Sequence, residues 1–453
     1  MKENKTNSTL KIIEWKCNQR LGDNMDDNII LNENINENIN ENDSFIITDI
    51  KFNKNGTKII VSDKGGRIII FEKMKFNKLH YFYEFFAQER DFDVFKGTEY
   101  SEEIKAIDVF PENNNNEKID ILSASYRNIK YHRVYKDKIN IFEYEKNNNN
   151  NKNLTIPKLN SYNIEIKMKT KKNFKCESCK DIHSLSINKY ITNNFISSDE
   201  YKIYLWDINR NSDCIYTPIN IEDESYTEKL TKCKYANFNQ HIFIYGTNEG
   251  NLKLCDLRTN TEQIKFETKF SDDKLPFNAS IKNSLLSIQD ICTSFKNDYL
   301  FASRHYFHIN LWDLRKQNEP LSKFFIYEPS INHLSYLNQN NYLNDKFSID
   351  CNSKGNLIIT GGYNGMFHIF DIEQRLNTQI TINRSDSKIM NTNIIRKINS
   401  KGSCSYKNDE VAVKDINYEH KISHQVYSPI GNFILVVDYD RIYSYIGNTG
   451  KIE

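Results

Sequence analysis

Cys176 and Cys179 stand in a C-x-x-C spacing, and His183 follows shortly after them. Two thiolates and an imidazole at such spacing suit a tetrahedral zinc ion, but a structural site needs a fourth ligand, and Cys214 is the nearest later thiol. With no close fourth ligand, ordinary reduced thiols are the simpler reading, and no metal is expected. The run KMKTKKNFK (Lys167 to Lys175) could touch phosphates, yet one short basic stretch is more often a solvated face. Asp199 and Glu200 place two carboxylates side by side at the end of FISSDE. Their environment admits two readings: an acidic patch that attracts cations, or an internal network in which His183, Ser197, Asp199 and Trp206 bond one another within the fold. A two-metal hydrolase needs clustered Asp, His and Asn ligands, and no compact motif of that kind occurs. The expectation is a binding protein without catalytic residues, metal or cofactor.

Residues of these types act only if a scaffold presents them. The chain has 453 residues, 38% of them apolar, with 27 Tyr and 27 Phe, enough for a large core. Its 61 basic and 60 acidic residues nearly cancel, so no bulk charge points to nucleic acid or an anionic membrane, and neither is expected as a partner. No stretch approaches the roughly 18 apolar residues of a membrane span, and the start, MKENKTNSTLKIIEW, lacks the apolar run of a signal peptide. Nine scattered cysteines suit a reducing compartment, the cytosol with or without the nucleus.

The elements repeat. A polar turn, a short apolar run, an aromatic or Cys and then an acidic residue recur as RIIIFE (Arg67 to Glu72), KINIFE (Lys138 to Glu143), KIYLWD (Lys202 to Asp207), NLKLCD (Asn251 to Asp256), HINLWD (His308 to Asp313) and MFHIFD (Met366 to Asp371), with RIYSYI (Arg441 to Ile446) as a degenerate last copy. Asp207, Asp256, Asp313 and Asp371 are spaced by 49, 57 and 58 residues, longer than the roughly 40–45 of a compact WD repeat, which leaves the excess for loops. Before most copies lie two more strand-like runs separated by Gly, Asn and Asp turns. The last repeat has only three strands after His420, and LKIIEWK (Leu10 to Lys16) is expected to supply the fourth and close a ring. The Asn-rich tracts within 24–43 and 146–153, and Asn113 to Asn116, are expected to be disordered loops.

This pattern resembles the WD-repeat family, whose fold is an all-β, seven-bladed propeller, here a single domain over 1–453. Residues outside the repeat frame narrow the resemblance. DKGGR (Asp63 to Arg67) before an apolar run, DFDVFKGTEYSEEI (Asp91 to Ile104), EKLT (Glu228 to Thr231), GNLKLCDLR (Gly250 to Arg258) and NDKFSIDCNSKGNLIITGGYN (Asn344 to Asn364) follow in the order found in the B-type, fifty-five-kilodalton regulatory subunit of type 2A serine/threonine protein phosphatase. The resemblance spans almost the whole chain.

It implies a non-catalytic subunit with two binding surfaces and two partner subunits, a helical-repeat scaffold and a phosphatase catalytic subunit. An insertion at 74–104 would protrude as a β-hairpin and dock on the scaffold through Phe92, Asp93, Lys96, Glu99 and Glu102. Read without the resemblance, Asp91 to Glu103 is a charged surface loop. An acidic groove on the propeller face would hold basic segments flanking a phosphorylated Ser or Thr, through Asp199, Glu200, Leu230, Lys64 and Asp43. The chain departs from the family at Lys180 and Asp181, which replace a Tyr-His pair, and at Glu103, where the family has a lysine. The other reading of the same propeller is a protein-interaction scaffold in a chromatin or trafficking assembly.

Overall fold

The computed structural model describes residues 11–22, 45–88, 91–93, 98–100, 102–111, 118–126, 128–143, 158–175, 181–210, 214–220, 228–258, 263–267, 284–295, 297–316, 319–326, 336–382, 392–398 and 417–451. The Asn-rich tracts at 24–43, 113–116 and 146–153 fall outside them.

Alternating apolar residues and tight turns in this chain produce seven antiparallel sheets. Blade one comprises Ile47–Phe52, Lys58–Asp63, Arg67–Lys73 and Leu79–Phe86; blade two Ala106–Val109, Lys118–Ala124, Asn128–Glu143 and Lys158–Lys175. Blade three runs through Ser184–Ile187, Asn194–Ser198, Lys202–Asp207 and Tyr216–Asn220, and blade four through Leu230–Tyr235, Ile242–Thr247, Asn251–Asp256 and Gln263–Glu267. Blade five is Asp290–Cys292, Leu300–Arg304, His308–Asp313 and Ser322–Phe325. Blade six, Ile349–Cys351, Leu357–Gly361, Met366–Asp371 and Leu376–Thr381, adds a fifth strand, Thr392–Lys397. Blade seven joins Ile422–Tyr427, Phe433–Asp438 and Arg441–Lys451 to the N-terminal strand Lys11–Leu21.

The first strands contact one another in succession, and that of blade seven meets that of blade one, so the sheets form a closed ring: a seven-bladed β-propeller. Closure falls to Lys11–Leu21, which pairs antiparallel with Arg441–Lys451 from Lys11↔Lys451 to Leu21↔Ile442. This is the strand expected from LKIIEWK. Trp15 anchors it, buried against Tyr427 with ring centroids 5.9 Å apart at 86°. The core lies between adjacent blades: Val61, Leu79, Leu435 and Ile442 pack blade one on blade seven, and Ile203, Leu230 and Tyr245 pack blade three on blade four.

The repeated closing runs are the third strands, and their aromatic residue plugs the blade. Trp206 Nε1 donates to Ser197 Oγ at 2.8 Å, and Trp312 Nε1 donates to Ser303 Oγ at 2.9 Å. Blade two corrects the reading of its repeat. The turn Ser125–Asn128 matches the turn Asp199–Lys202, each closed by a 3.0 Å N–H···O bond, so the strand that corresponds to KIYLWD begins at Asn128. His132 then stands where Trp206 does, and its Nε2 lies 3.0 Å from Ser123 Oγ. KINIFE (Lys138 to Glu143) lies beyond Tyr135, the last residue paired with the second strand, and pairs only with Leu159 to Ile164 and its neighbours in the outer strand. It forms half of a two-stranded ribbon that continues past the end of the second strand.

Candidate functional site

The turns between second and third strands, and the segments that enter each first strand, share one end of the ring, called here the upper face. On it lie Asp199, Glu200 and Lys64, and the backbone that carries Leu230, all singled out from the sequence.

Asp199 is buried. Its Oδ1 accepts from the amides of Tyr201 at 2.8 Å and Lys202 at 2.7 Å, and its Oδ2 accepts from Tyr204 Oη at 2.9 Å. The carboxylate therefore holds the turn of blade three, as Asp63 holds that of blade one by accepting from the Arg67 amide and Nε, both at 2.8 Å. Its neighbour Glu200 faces outward and pairs through Oε2 with Lys229 Nζ at 2.9 Å. Leu230 is buried between blades three and four, its amide donating to Glu200 O at 2.7 Å. Lys64 is exposed on the blade-one turn, whose backbone it ties by donating from its amide to Ile46 O at 2.9 Å. Asp43 lies outside the described residues.

The internal network of His183, Ser197, Asp199 and Trp206 is divided. Ser197 serves Trp206 and Asp199 serves its own turn, while the ring nitrogens of His183 lie 3.1 Å from the carbonyls of Asp181 and Leu230. Burial, with Lys346 and Lys232 nearby, outweighs those carbonyls and lowers the His183 pKa to about 4. Beside it, Lys105 pairs with Glu103 at 3.2 Å and Asp181 at 3.8 Å. The mouth thus alternates carboxylates with lysines.

The insertion forms a two-stranded hairpin, Asp91–Asp93 with Thr98–Tyr100, in which Phe92 is opposite Glu99 and Asp93 opposite Thr98. It lies between blades one and two, on the upper face. Within 74–104, Leu79–Phe86 belongs to blade one as its outer strand. Glu102 follows the hairpin, half-buried; Lys96 lies outside the described residues. So do Cys176, Cys179 and Lys180, while Cys214 donates from Sγ to Leu205 O at 3.4 Å. Among the described residues no group of three or more His, Cys, Asp or Glu is arranged to hold a metal, and no helix is long and apolar enough to cross a membrane.

Below the mouth, the first strands line the axis with charge that the sequence reading missed. Asp49 Oδ2 accepts from the Ile107 amide at 3.2 Å, Asp108 Oδ2 from Ile187 at 2.7 Å, Asp290 Oδ2 from Ile349 at 3.0 Å and Asp350 Oδ2 from Tyr427 at 2.8 Å. Each carboxylate thereby stitches its blade to the next. Their proton affinities differ because the lysines are unevenly placed. Burial raises all four; for Asp108 and Asp350 it prevails, whereas Asp49, 3.4 Å from Lys51, and Asp290, 2.9 Å from Lys234, end below the usual range, Asp290 at about 2. A signal was present: TDIKF, IDVF, QDIC and IDCN repeat an Asp followed by an apolar residue at the start of four blades.

The ring and its mouth define the class: a seven-bladed β-propeller, an architecture commonly used as a protein-interaction scaffold. No family model matches the chain.

Proposed function

We propose that this propeller is a non-catalytic regulatory subunit of a type 2A serine/threonine phosphatase, of the B type, which docks on a helical-repeat scaffold and recruits phosphoproteins to the catalytic subunit. One observation carries the reading: the segment DFDVFKGTEYSEEI, which resembles the family insertion, folds as a separate hairpin between blades one and two. The DKGGR motif forms the neighbouring turn on the same face, so both family-like segments share one surface. Basic substrate segments would meet Glu200, Asp181 and Glu103 at the mouth, among lysines that sharpen the choice of sequence by repelling misplaced cations. With Asp199 engaged in its own turn, its part would be to hold Glu200 in place.

The test is affinity purification of the full chain from its own cells, with partners identified by mass spectrometry, for wild type, a deletion of 91–103 and a variant in which 138–164 is replaced by a two-residue turn. A scaffold and a metallophosphatase that co-purify with wild type and vanish with the first deletion support the reading. Loss only with the second would assign docking to the blade-two ribbon. Neither protein in the wild-type sample would refute the holoenzyme and favour a scaffold in another assembly. A specific observation favours that second reading: the mouth carries both signs of charge instead of a purely acidic groove.

A further inference from the structure

At the opposite, lower end of the ring, the turn between the third and outer strands of blade one holds Phe76 at φ 61, ψ 23. A bulky residue rarely adopts this left-handed conformation, which crowds its Cβ against the backbone. Nothing in the turn gains from the ring, because Phe76 is 87% exposed. Strain and exposure together disfavour this residue for folding alone; a glycine or asparagine would serve the turn better.

The turn is also held from outside. In the closing strand, the register slips between Cys17 and Gln19, leaving Asn18 as a bulge. The bulge directs Asn18 Nδ2 to the carbonyls of Phe76 at 3.5 Å and Asn77 at 3.0 Å. Gln19 adds a two-way clamp, accepting from the Leu79 amide at 2.7 Å and donating to Leu79 O at 3.0 Å. In the same turn Met74 is 49% exposed, and Lys75 and Lys78, before and after Phe76 in the chain, are exposed as well. The tip is therefore apolar, rigidly presented and flanked by positive charge.

We infer that Phe76 is the anchor of a protein-docking knob, and that its partner offers an apolar pocket with carboxylates at its rim. The lysines supply the charge complementarity, and the clamp supplies preorganisation, which suits a shaped protein pocket better than a fluid bilayer. The inference does not rest on the phosphatase reading, which concerns the upper face.

The test places the photo-crosslinking residue p-benzoylphenylalanine at position 76 of the full chain in its own cells. The expected result is one polypeptide, crosslinked at an apolar site flanked by Asp or Glu. The same protein, purified, should bind Phe76→Asn at least about tenfold more weakly than wild type, as for loss of an interface anchor. Lys75→Glu with Lys78→Glu should also weaken it. Phe76→Asn should keep or raise the thermal midpoint, because asparagine tolerates the left-handed conformation. No crosslink, crosslinks scattered over many proteins, or crosslinks to lipid would overturn the inference. So would a lowered midpoint in Phe76→Asn, which would make the ring a structural part.

Discussion

Asp290 offers the sharpest test of the axial charges. Its Oδ1 accepts from the Ile291 amide and lies 2.9 Å from Lys234 Nζ, and its Oδ2 accepts from the amide of Ile349 in blade six. Burial works against the carboxylate, but Lys234, Lys232 and Lys51 prevail and take its pKa from 3.8 to about 2. At about 1.4 kcal/mol per pKa unit, this difference stabilises the folded state by roughly 2–3 kcal/mol at neutral pH. The folded value is depressed, so the contribution is complete above about pH 4 and disappears as pH falls towards 2. Asp290→Asn keeps the shape, leaves one amide without its acceptor and strips Lys234 of its counter-charge. Removing one partner of a buried pair costs about 3–5 kcal/mol; because the Lys234 side chain is 22% exposed, about 2–4 kcal/mol is expected here. Urea denaturation at pH 7 measures it, and the gap from wild type should close on acidification. The double variant Asp290→Asn, Lys234→Met should recover more than half of the loss, since no charge is then stranded. A single-variant loss below about 1 kcal/mol, or a double variant as weak as the sum of the two, would refute the argument.

Three other outcomes follow from the fold. Gly361→Ala would place a Cβ 2.0 Å from the backbone oxygen of Ile422 and should prevent blades six and seven from packing, whereas Gly431→Ala meets no neighbour and should cost only about 1 kcal/mol, from its φ of +78; thermal melts of both separate the two causes. Burial holds His132 at about 3 and His183, His305, His368 and His424 at about 4, so all five should take up protons on unfolding below about pH 6.5. Stability should therefore fall as the pH drops below about 6.5, and a melting temperature unchanged from pH 7 to 5 would contradict this. Removing residues 1–21 should open the ring and lower the thermal midpoint sharply, and a peptide spanning 9–22 added in excess should restore part of the loss.

The propeller was legible because its strongest signal is local: an apolar third strand after a turn, repeated, with Trp206 and Trp312 as plugs. The frame slipped in blade two where His132 replaces the tryptophan, since the hydrogen bond to Ser123 is kept while the residue type changes. The fifth strand Thr392–Lys397 escaped notice because an edge strand has one neighbour and little burial to shape its pattern, and Ile394 and Ile395 remain exposed on it. Asp199 shows the limit for sites. Its position on the upper face could be read, but whether its oxygens meet solvent or the amides of Tyr201 and Lys202 depends on turn geometry that residue order does not display.

Lys11 and Lys451 are strand partners yet stand almost the whole chain apart. On a ribosome adding roughly 5–20 residues per second, the strand Lys11–Leu21 would wait on the order of half a minute or more for its mate. Until Arg441–Lys451 has been made, blade seven is incomplete and the blade-one flank it will cover is open, so no shorter length of chain has a finished ring. Newly made chains should therefore spend their early life as clients of chaperones that shield open sheet edges, and nonsense truncations, even late ones, should be cleared by proteolysis instead of persisting as shorter propellers.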